Sequence, residues 1–321
     1  MFIRKVKSCF GFRNLQLVLK RKKLIQPKYL QKNDTVAIVS TARKITFDEI
    51  LPAIDLLKKW DLNVVVGATI GLEEHQFAGN DTERTADFQK MLNNPKIKAI
   101  WCARGGYGTV KIIDNLDFTL FKKHPKWIIG YSDVTVLHSH IQNLGFQSLH
   151  ATMPLNVKKN TNSSLASLKK SLFGETISYE IESSENNKIG EAKGDLIGGN
   201  LSVLYSLTGS DSSTNTKGKI LFIEDLDEYL YHIDRMLMNL KRNGYFDYLK
   251  GLIVGGFTDM HDNDIAFGKN AKEIILDIIS EYNFPVVFDF PAGHLKDNRA
   301  LIFGRKVSLK VEEKITKIEI P

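Results

Sequence analysis

From Thr35 to Ile129 the chain alternates short apolar runs with longer amphipathic stretches, and few folds accommodate that alternation. Val36 to Val39, Asn63 to Val66, Ala99 to Cys102 and Trp127 to Ile129 read as strands. Between them, Phe47 to Trp60 places Ile50, Leu51, Ile54 and Leu57 at helical spacing. Thr82 to Leu92 is helical behind a cap at Asp81, and a further helix is expected over about Thr109 to Leu116. Strands separated by helices predict an α/β fold with a doubly wound parallel sheet. Sites in such sheets lie beyond the carboxyl ends of the strands. Ser40, the turn Arg104-Gly105-Gly106-Tyr107-Gly108, and Ser132 all fall at such ends.

The pattern changes after residue 155. Polar runs at Asn160 to Ser164 and Ser183 to Asn187 mark residues 156–192 as a linker between an N-terminal domain, 25–155, and a smaller β-rich α/β domain, 193–321. In the second domain, strands are expected at Lys219 to Ile223, Gly251 to Val254 and Val286 to Phe288. Helices are expected at about Leu230 to Asn243 and Ala271 to Tyr282, and Lys306 to Ile320 alternates like exposed strands.

A net charge of +7 invites a nucleic-acid partner, but eight of the 44 cations lie in residues 1–24, which hold no acid. The remaining 36 cations face 37 acids, so the folded body has no phosphate-binding excess. The basic leader lacks a long apolar stretch and a small-residue cleavage site, which argues against a secretory signal. It resembles a transit segment in being acid-free, and a disordered or non-essential extension is the first expectation. No apolar run is long enough for a membrane span. With two cysteines, Cys9 in the leader and Cys102 beside an apolar patch, a structural disulfide is not expected, which fits a reducing, cytoplasmic compartment.

Three places carry candidate chemistry. In Trp127-Ile128-Ile129-Gly130-Tyr131-Ser132-Asp133-Val134 a serine follows a buried strand and a glycine and precedes a helix (Val134, Leu137, Ile141, Leu144). That is the setting of a nucleophile elbow, although the usual last glycine of G-x-S-x-G is a valine here. The alternative is a helix cap at Ser132 or Asp133. Leu221 to Glu228 ends an apolar run in four carboxylates, which also reads as the acidic first turn of a helix. Pro291-Ala292-Gly293-His294 sets a histidine after a strand and a glycine turn, where a surface role is the plain alternative.

Taken together and in order, these pieces resemble the LD-carboxypeptidases, a family of serine peptidases that includes muramoyl-tetrapeptide carboxypeptidases and microcin-immunity hydrolases. The likeness runs from about Leu24 to Phe303. It rests on Phe77-Ala78-Gly79-Asn80-Asp81 with Arg84, Ala103 to Gly108, Pro125-Lys126 leading to Gly130-Tyr131-Ser132-Asp133, Gly198-Gly199-Asn200-Leu201, Glu224-Asp225 with Glu228 and Tyr231, Ile233-Asp234-Arg235, and Gly293-His294. The resemblance implies a triad of Ser132 as nucleophile, His294 as general base and Glu224 as its orienter, shared between two domains whose closure matters for activity. A serine hydroxyl needs such a base, and the base needs a carboxylate to fix its tautomer. Oxyanion donors are expected at the Asp133 and Gly106 amides. The resemblance implies release of terminal D-alanine from murein tetrapeptides, without cofactor or metal and as a homodimer. Arg104 is a candidate clamp for the terminal carboxylate, with Asn200, Glu228 and Tyr231 as substrate contacts and Asp234 and Arg235 as structural residues.

Other readings are weaker. His138, His140 and His150, or His261 with Asp262 and Asp264, could be metal ligands, but histidines two apart on a helix diverge. The Gly105-Gly106 turn fits neither a dinucleotide fingerprint nor a phosphate loop. Within the family, hydrolysis of peptidyl- or aminoacyl-adenylate antibiotics uses the same triad. The tryptophans Trp60, Trp101 and Trp127 all precede Ser132 on expected core elements, and none is placed to stack a nucleobase. A non-catalytic binding module would require a broken triad, and all three residue types are present.

Overall fold

The computed structural model describes residues 24–321. All of the basic leader except Leu24, and Cys9 with it, lies outside the described residues. The strands in chain order are β1 (Thr35–Val39), β2 (Asn63–Val66), β3 (Ile97–Cys102), β4 (Trp127–Gly130), β5 (Ser148–His150), β6 (Ile177–Glu182), β7 (Gly190–Asn200), β8 (Ile220–Leu226), β9 (Gly251–Thr258), β10 (Val286–Val287), β11 (Leu301–Phe303), β12 (Lys306–Val311) and β13 (Ile315–Ile320). The helices are α1 (Phe47–Lys59), α2 (Asp81–Asn93), α3 (Thr119–Lys123), α4 (Thr135–Asn143), α5 (Asn162–Phe173), α6 (Leu201–Ser206), α7 (Leu230–Arg242) and α8 (Ala271–Ile278).

Two sheets result. The first runs β11-β5-β4-β3-β1-β2, parallel except where β11 meets β5. Its strands are short and apolar because both faces are covered. Val36, Ile38, Trp101, Trp127 and Ile129 pack with α1 on one face, and Ala37, Val39, Ile100 and Ile128 pack with α2 and α4 on the other. The second runs β10-β9-β8-β7-β12-β13-β6, parallel from β10 to β7 and antiparallel beyond. Helices α6, α7 and α8 cover one of its faces. The other face contributes Leu196, Ile220, Phe222, Ile253 and Val287 to the same apolar cluster as α1 and the first sheet. The two sheets therefore share a core.

Several expectations need adjustment. The stretch 156–192, read as a linker, holds α5 and β6, and β6 pairs with β13 at the edge of the second sheet. Its polar residues misled because α5 buries serines: Ser167 and Ser171 bond carbonyls of their own helix, and Ser167 accepts from the Ala300 amide. The helix expected at Thr109 to Leu116 is two single 3₁₀ turns. The cap of α2 is Asn80, one residue before Asp81, in a reciprocal pair with Glu83. In the C-terminal tail β12 and β13 are exposed on one side only, and Val307, Leu309, Val311, Ile318 and Ile320 line the core.

Two buried cations organise turns at opposite ends of the first sheet. Arg84 is fully buried and donates to the carbonyls of Thr41 (2.6 Å), Gly108 (2.9 Å) and Gly79 (3.3 Å), and it pairs with Asp81. It therefore ties together the loops that follow β1 and β3. Lys126 donates to the carbonyls of Met91, Leu92 and Asn94 at the end of α2. Burial pushes its ammonium down to about 8.

The sheets dock where β7 meets α4. The Asn200 amide donates to Thr135 Oγ1 at 3.0 Å, and a side chain at Gly199 (φ +143°) would place a carbon 2.3 Å from that same oxygen. Gly199→Ala is expected to destabilise the fold by roughly 1–3 kcal/mol through overpacking, read as a lower urea midpoint.

Candidate active site

Ser132 sits directly after β4 with φ +63°, in the left-handed region that a non-glycine residue rarely occupies. The turn lifts its side chain out of the sheet, as an elbow requires. The cap alternative does not hold, because neither Ser132 nor Asp133 caps a helix with its side chain. Asp133 is buried and turns away from the cleft, where its Oδ2 accepts the Thr109 amide at 2.9 Å. Burial raises the pKa of this carboxyl, against the pull of that bond and of Arg84.

The carboxylate run is not the start of a helix. Strand β8 continues through Leu226, and its pairing with β9 slips between Ile223 and Asp225. Glu224 lies at this bulge, a device that re-aims a side chain at a sheet end. Opposite the bulge, β9 carries Gly255 and Gly256. Side chains there would strike the Ala292 carbonyl at 2.6 Å and Leu295 at 2.7 Å. The glycines let the loop after β10 lie against the sheet, with the Gly256 amide donating to Ala292 O. That loop is pinned from within by Asn298, whose Oδ1 accepts the Gly293 amide at 2.9 Å.

These devices converge on one line of hydrogen bonds. His294 Nε2 lies 3.1 Å from Ser132 Oγ, and His294 Nδ1 lies 2.6 Å from Glu224 Oε2, which also accepts the His294 amide at 3.2 Å. Glu224 is fully buried. Burial pushes the His294 imidazole down, but the charge and hydrogen bond of Glu224 outweigh it and leave its pKa above the ordinary histidine value. The Tyr131 ring packs edge-on against His294, with ring centres 4.9 Å apart.

Ser132 and His294 open onto a cleft of about 470 Å³, and Glu224 is buried outside its lining. Of the other residues singled out in the sequence, Arg104, Gly106, Asn200 and Glu228 line it. Gly105 stands closer to the serine: a side-chain carbon there would be 3.2 Å from Ser132 Oγ and 3.4 Å from the Asp133 amide nitrogen. Arg104 donates to the Lys44 carbonyl and, among the described residues, has no acidic partner within ion-pair distance. Asn200 is committed to the fold: its Nδ2 donates to Asp225 Oδ1 at 2.8 Å, and its Oδ1 caps α6. Tyr231 is not in the lining. It stacks on His232 and packs at a tilt against Tyr229, with Arg235 over its ring. Asp227, from the run of four carboxylates, lines the cleft too, as does Arg43, which was not singled out. Arg43 carried a faint signal, lying just after the strand end at Ser40.

Asp225 lines the cleft as well and is almost wholly buried in its wall. Burial and then the charge of Glu224 push its carboxyl up to about 7. Among the described residues, no three of His, Cys, Asp and Glu are grouped to hold a metal. His138 bonds Ser148 and the Gly130 carbonyl, whereas His140 bonds Ser212. Cys102 is buried, and desolvation raises its thiol to about 12.

The LD-carboxypeptidase N-terminal domain matches residues 36–151, and the LD-carboxypeptidase C-terminal domain matches residues 193–309. A probable murein peptide carboxypeptidase of Bacillus subtilis is 36% identical over 304 residues, covering 92% of this chain and 94% of its own. The chain belongs to the LD-carboxypeptidase family. It is an enzyme, a serine-type LD-carboxypeptidase. The crystal structure of muramoyltetrapeptide carboxypeptidase from Oxalobacter formigenes superimposes with a TM-score of 0.80 at 26% identity, covering 89% of this chain and 98% of that one. The microcin C7 self-immunity protein MccF of Escherichia coli is 23% identical, covering 88% of this chain and 92% of its own.

Asn200→Ala removes a helix cap and takes a donor from the buried Asp225 carboxyl. A loss of about 2 kcal/mol of stability is expected, measured by urea unfolding, in contrast to a substrate contact, whose loss leaves stability unchanged.

Proposed function

We propose that this LD-carboxypeptidase hydrolyses the amide bond that releases terminal D-alanine from murein tetrapeptides, in peptidoglycan recycling, with Ser132, His294 and Glu224 as its triad. The observation that carries the reading is the unbroken run of hydrogen bonds from Ser132 Oγ through both ring nitrogens of His294 to Glu224.

In this mechanism Ser132 Oγ attacks the carbonyl carbon of the diamino-acid residue while His294 Nε2 accepts the hydroxyl proton. Glu224, bonded to Nδ1–H, holds the tautomer and stabilises the imidazolium. The Asp133 and Gly106 amides donate to the oxyanion. His294 then protonates the departing amine of D-alanine, and a water, deprotonated by the same imidazole, releases the tripeptide from Ser132. Arg104 receives the terminal carboxylate of the leaving residue. Its side chain lines the cleft beside the glycine turn, and its Nε is buried without a hydrogen-bond partner among the described residues.

The adenylate-hydrolysing activity is the second reading, because the family likeness extends to MccF. Against it, all three tryptophans are buried in the core and none lines the cleft. A cytoplasmic site of action and a homodimeric assembly complete the proposal. The family resemblance supports the dimer, and light scattering of the purified chain tests it. No described helix is long and apolar enough to cross a membrane.

Ser132→Ala is expected to cut D-alanine release from L-Ala-γ-D-Glu-L-Lys-D-Ala and its diaminopimelate form by about 10⁴-fold or more, with the fold unchanged by circular dichroism. Release by the variant at the parental rate refutes the assignment. Cleavage of an aminoacyl-sulfamoyl adenosine, with no D-alanine release, favours the second reading. The base must be neutral to act. With its pKa raised, activity is expected to fall as pH drops through a midpoint above 6.5 in the kcat/KM profile. Glu224→Gln removes the raising charge and is expected to shift that midpoint downward while lowering kcat.

A further inference from the structure

The charged residues of the cleft are sorted by sign. Arg43 and Arg104 come from the loops after β1 and β3, on the side of the glycine turn. Asp227 and Glu228 come from the end of β8, on the side of Glu224. Ser132 follows β4 of the first sheet, as the arginines follow β1 and β3, and its bond to His294 joins it to the second sheet, whose strand β8 carries the carboxylates.

Among the described residues, neither arginine has an acid within 4 Å: Arg43 donates to Gln76 at 3.4 Å, and Arg104 donates to the Lys44 carbonyl. Among the described residues, no lysine or arginine lies within 4 Å of the Asp227 or Glu228 carboxylates. Each carboxylate instead has one oxygen held by a histidine. Asp227 Oδ1 lies 2.5 Å from His261 Nε2, and Glu228 Oε2 lies 2.8 Å from His232 Nδ1. These bonds fix the carboxylates in place while leaving Asp227 Oδ2 and Glu228 Oε1 without a hydrogen-bond partner among the described residues. Surface charges usually gain little from one another. Poles of opposite sign on the two sheets that meet at one cleft, however, form a field that orients a zwitterionic ligand.

We infer that Asp227 and Glu228 form a specificity site for a free side-chain ammonium on the residue whose carbonyl Ser132 attacks. The inference rests on the carboxypeptidase reading and deepens it. With the leaving residue's carboxylate at the arginine pole, the carboxylate pole faces the acyl half of the substrate. A lysine-type side chain there supplies the missing cation. The same side chain acylated, as in a cross-linked peptide, brings a neutral amide and leaves both carboxylates unpaired. The site therefore selects monomeric peptides over cross-linked ones.

The test compares L-Ala-γ-D-Glu-L-Lys-D-Ala with its Nε-acetyl-lysine counterpart, in the parent and in Asp227→Asn/Glu228→Gln. Asparagine tolerates the left-handed backbone of Asp227 (φ +59°), and thermal melting checks that the variant is folded. The parent is expected to favour the free amine by tenfold or more in kcat/KM, mostly through KM, and the preference should shrink as salt is raised. In the double variant the ratio of the two peptides should collapse toward one. A parental ratio near one, or a ratio untouched by the double substitution, overturns the inference. Binding of both peptides to Ser132→Ala by calorimetry separates the two levels of the argument. Amine-dependent affinity without any release of D-alanine by the parent would uphold the ammonium site and refute the carboxypeptidase reading. Equal affinity for the two peptides would refute the ammonium site alone.

Discussion

The hydrogen bond between Ser132 Oγ and His294 Nε2, 3.1 Å long, joins residues from two different sheets. Ser132 is placed by the end of β4, and His294 by a loop that lies on β9 and is held by Glu224 at the end of β8. Neither half contains a reactive centre. The docking contacts bear on the site for this reason. Thr135 receives the Asn200 amide one turn after the nucleophile, and Asn200 in turn holds Asp225 beside Glu224. A displacement at that seam would be felt at the serine through three covalent neighbours and two hydrogen bonds.

The shared apolar cluster explains why that seam is stable. Two domains meeting through a modest polar interface move relative to one another by default. Here Phe222 and Ile220 of the second sheet belong to the same cluster as Ile129 and Leu149 of the first. Burying one face of each sheet against the other breaks no ladder hydrogen bond, because those bonds run between strands within each sheet. The cleft is thus an opening at the rim of a continuous core.

Much of this was legible in the sequence, and the limits have physical causes. The alternation of strand and helix over Thr35 to Ile129 exposed the first sheet, because both faces of a parallel sheet are buried and its strands read as plain apolar runs. The left-handed Ser132 was readable from the residues on either side of it. The end of β8 was ambiguous, because an acidic run suits a helix start as well as a strand end, and only the bulge against Gly255 and Gly256 decides between them. The linker reading failed because α5 buries hydroxyls by bonding them to its own carbonyls, a satisfaction that composition does not reveal. Tyr231 was singled out only through the resemblance, and its ring is occupied by neighbours on its own helix. Arg43 reaches the cleft through long-range packing, which one-dimensional spacing cannot report.

Strand β11 follows shortly after His294 and returns to the first sheet, where it pairs with β5. The segment that delivers the histidine therefore begins at the edge of one sheet, at β10, and ends at the edge of the other. The chain passes between the sheets three times, out through 156–192, back at β11 and out again at β12. A gene fragment ending near residue 151 would make a sheet lacking its border strand and a nucleophile lacking its base. The two halves of such a protein cannot be traded as cassettes between relatives. They must change together, so lineages of this fold are expected to diversify through residues at the cleft rim rather than by exchange of whole domains.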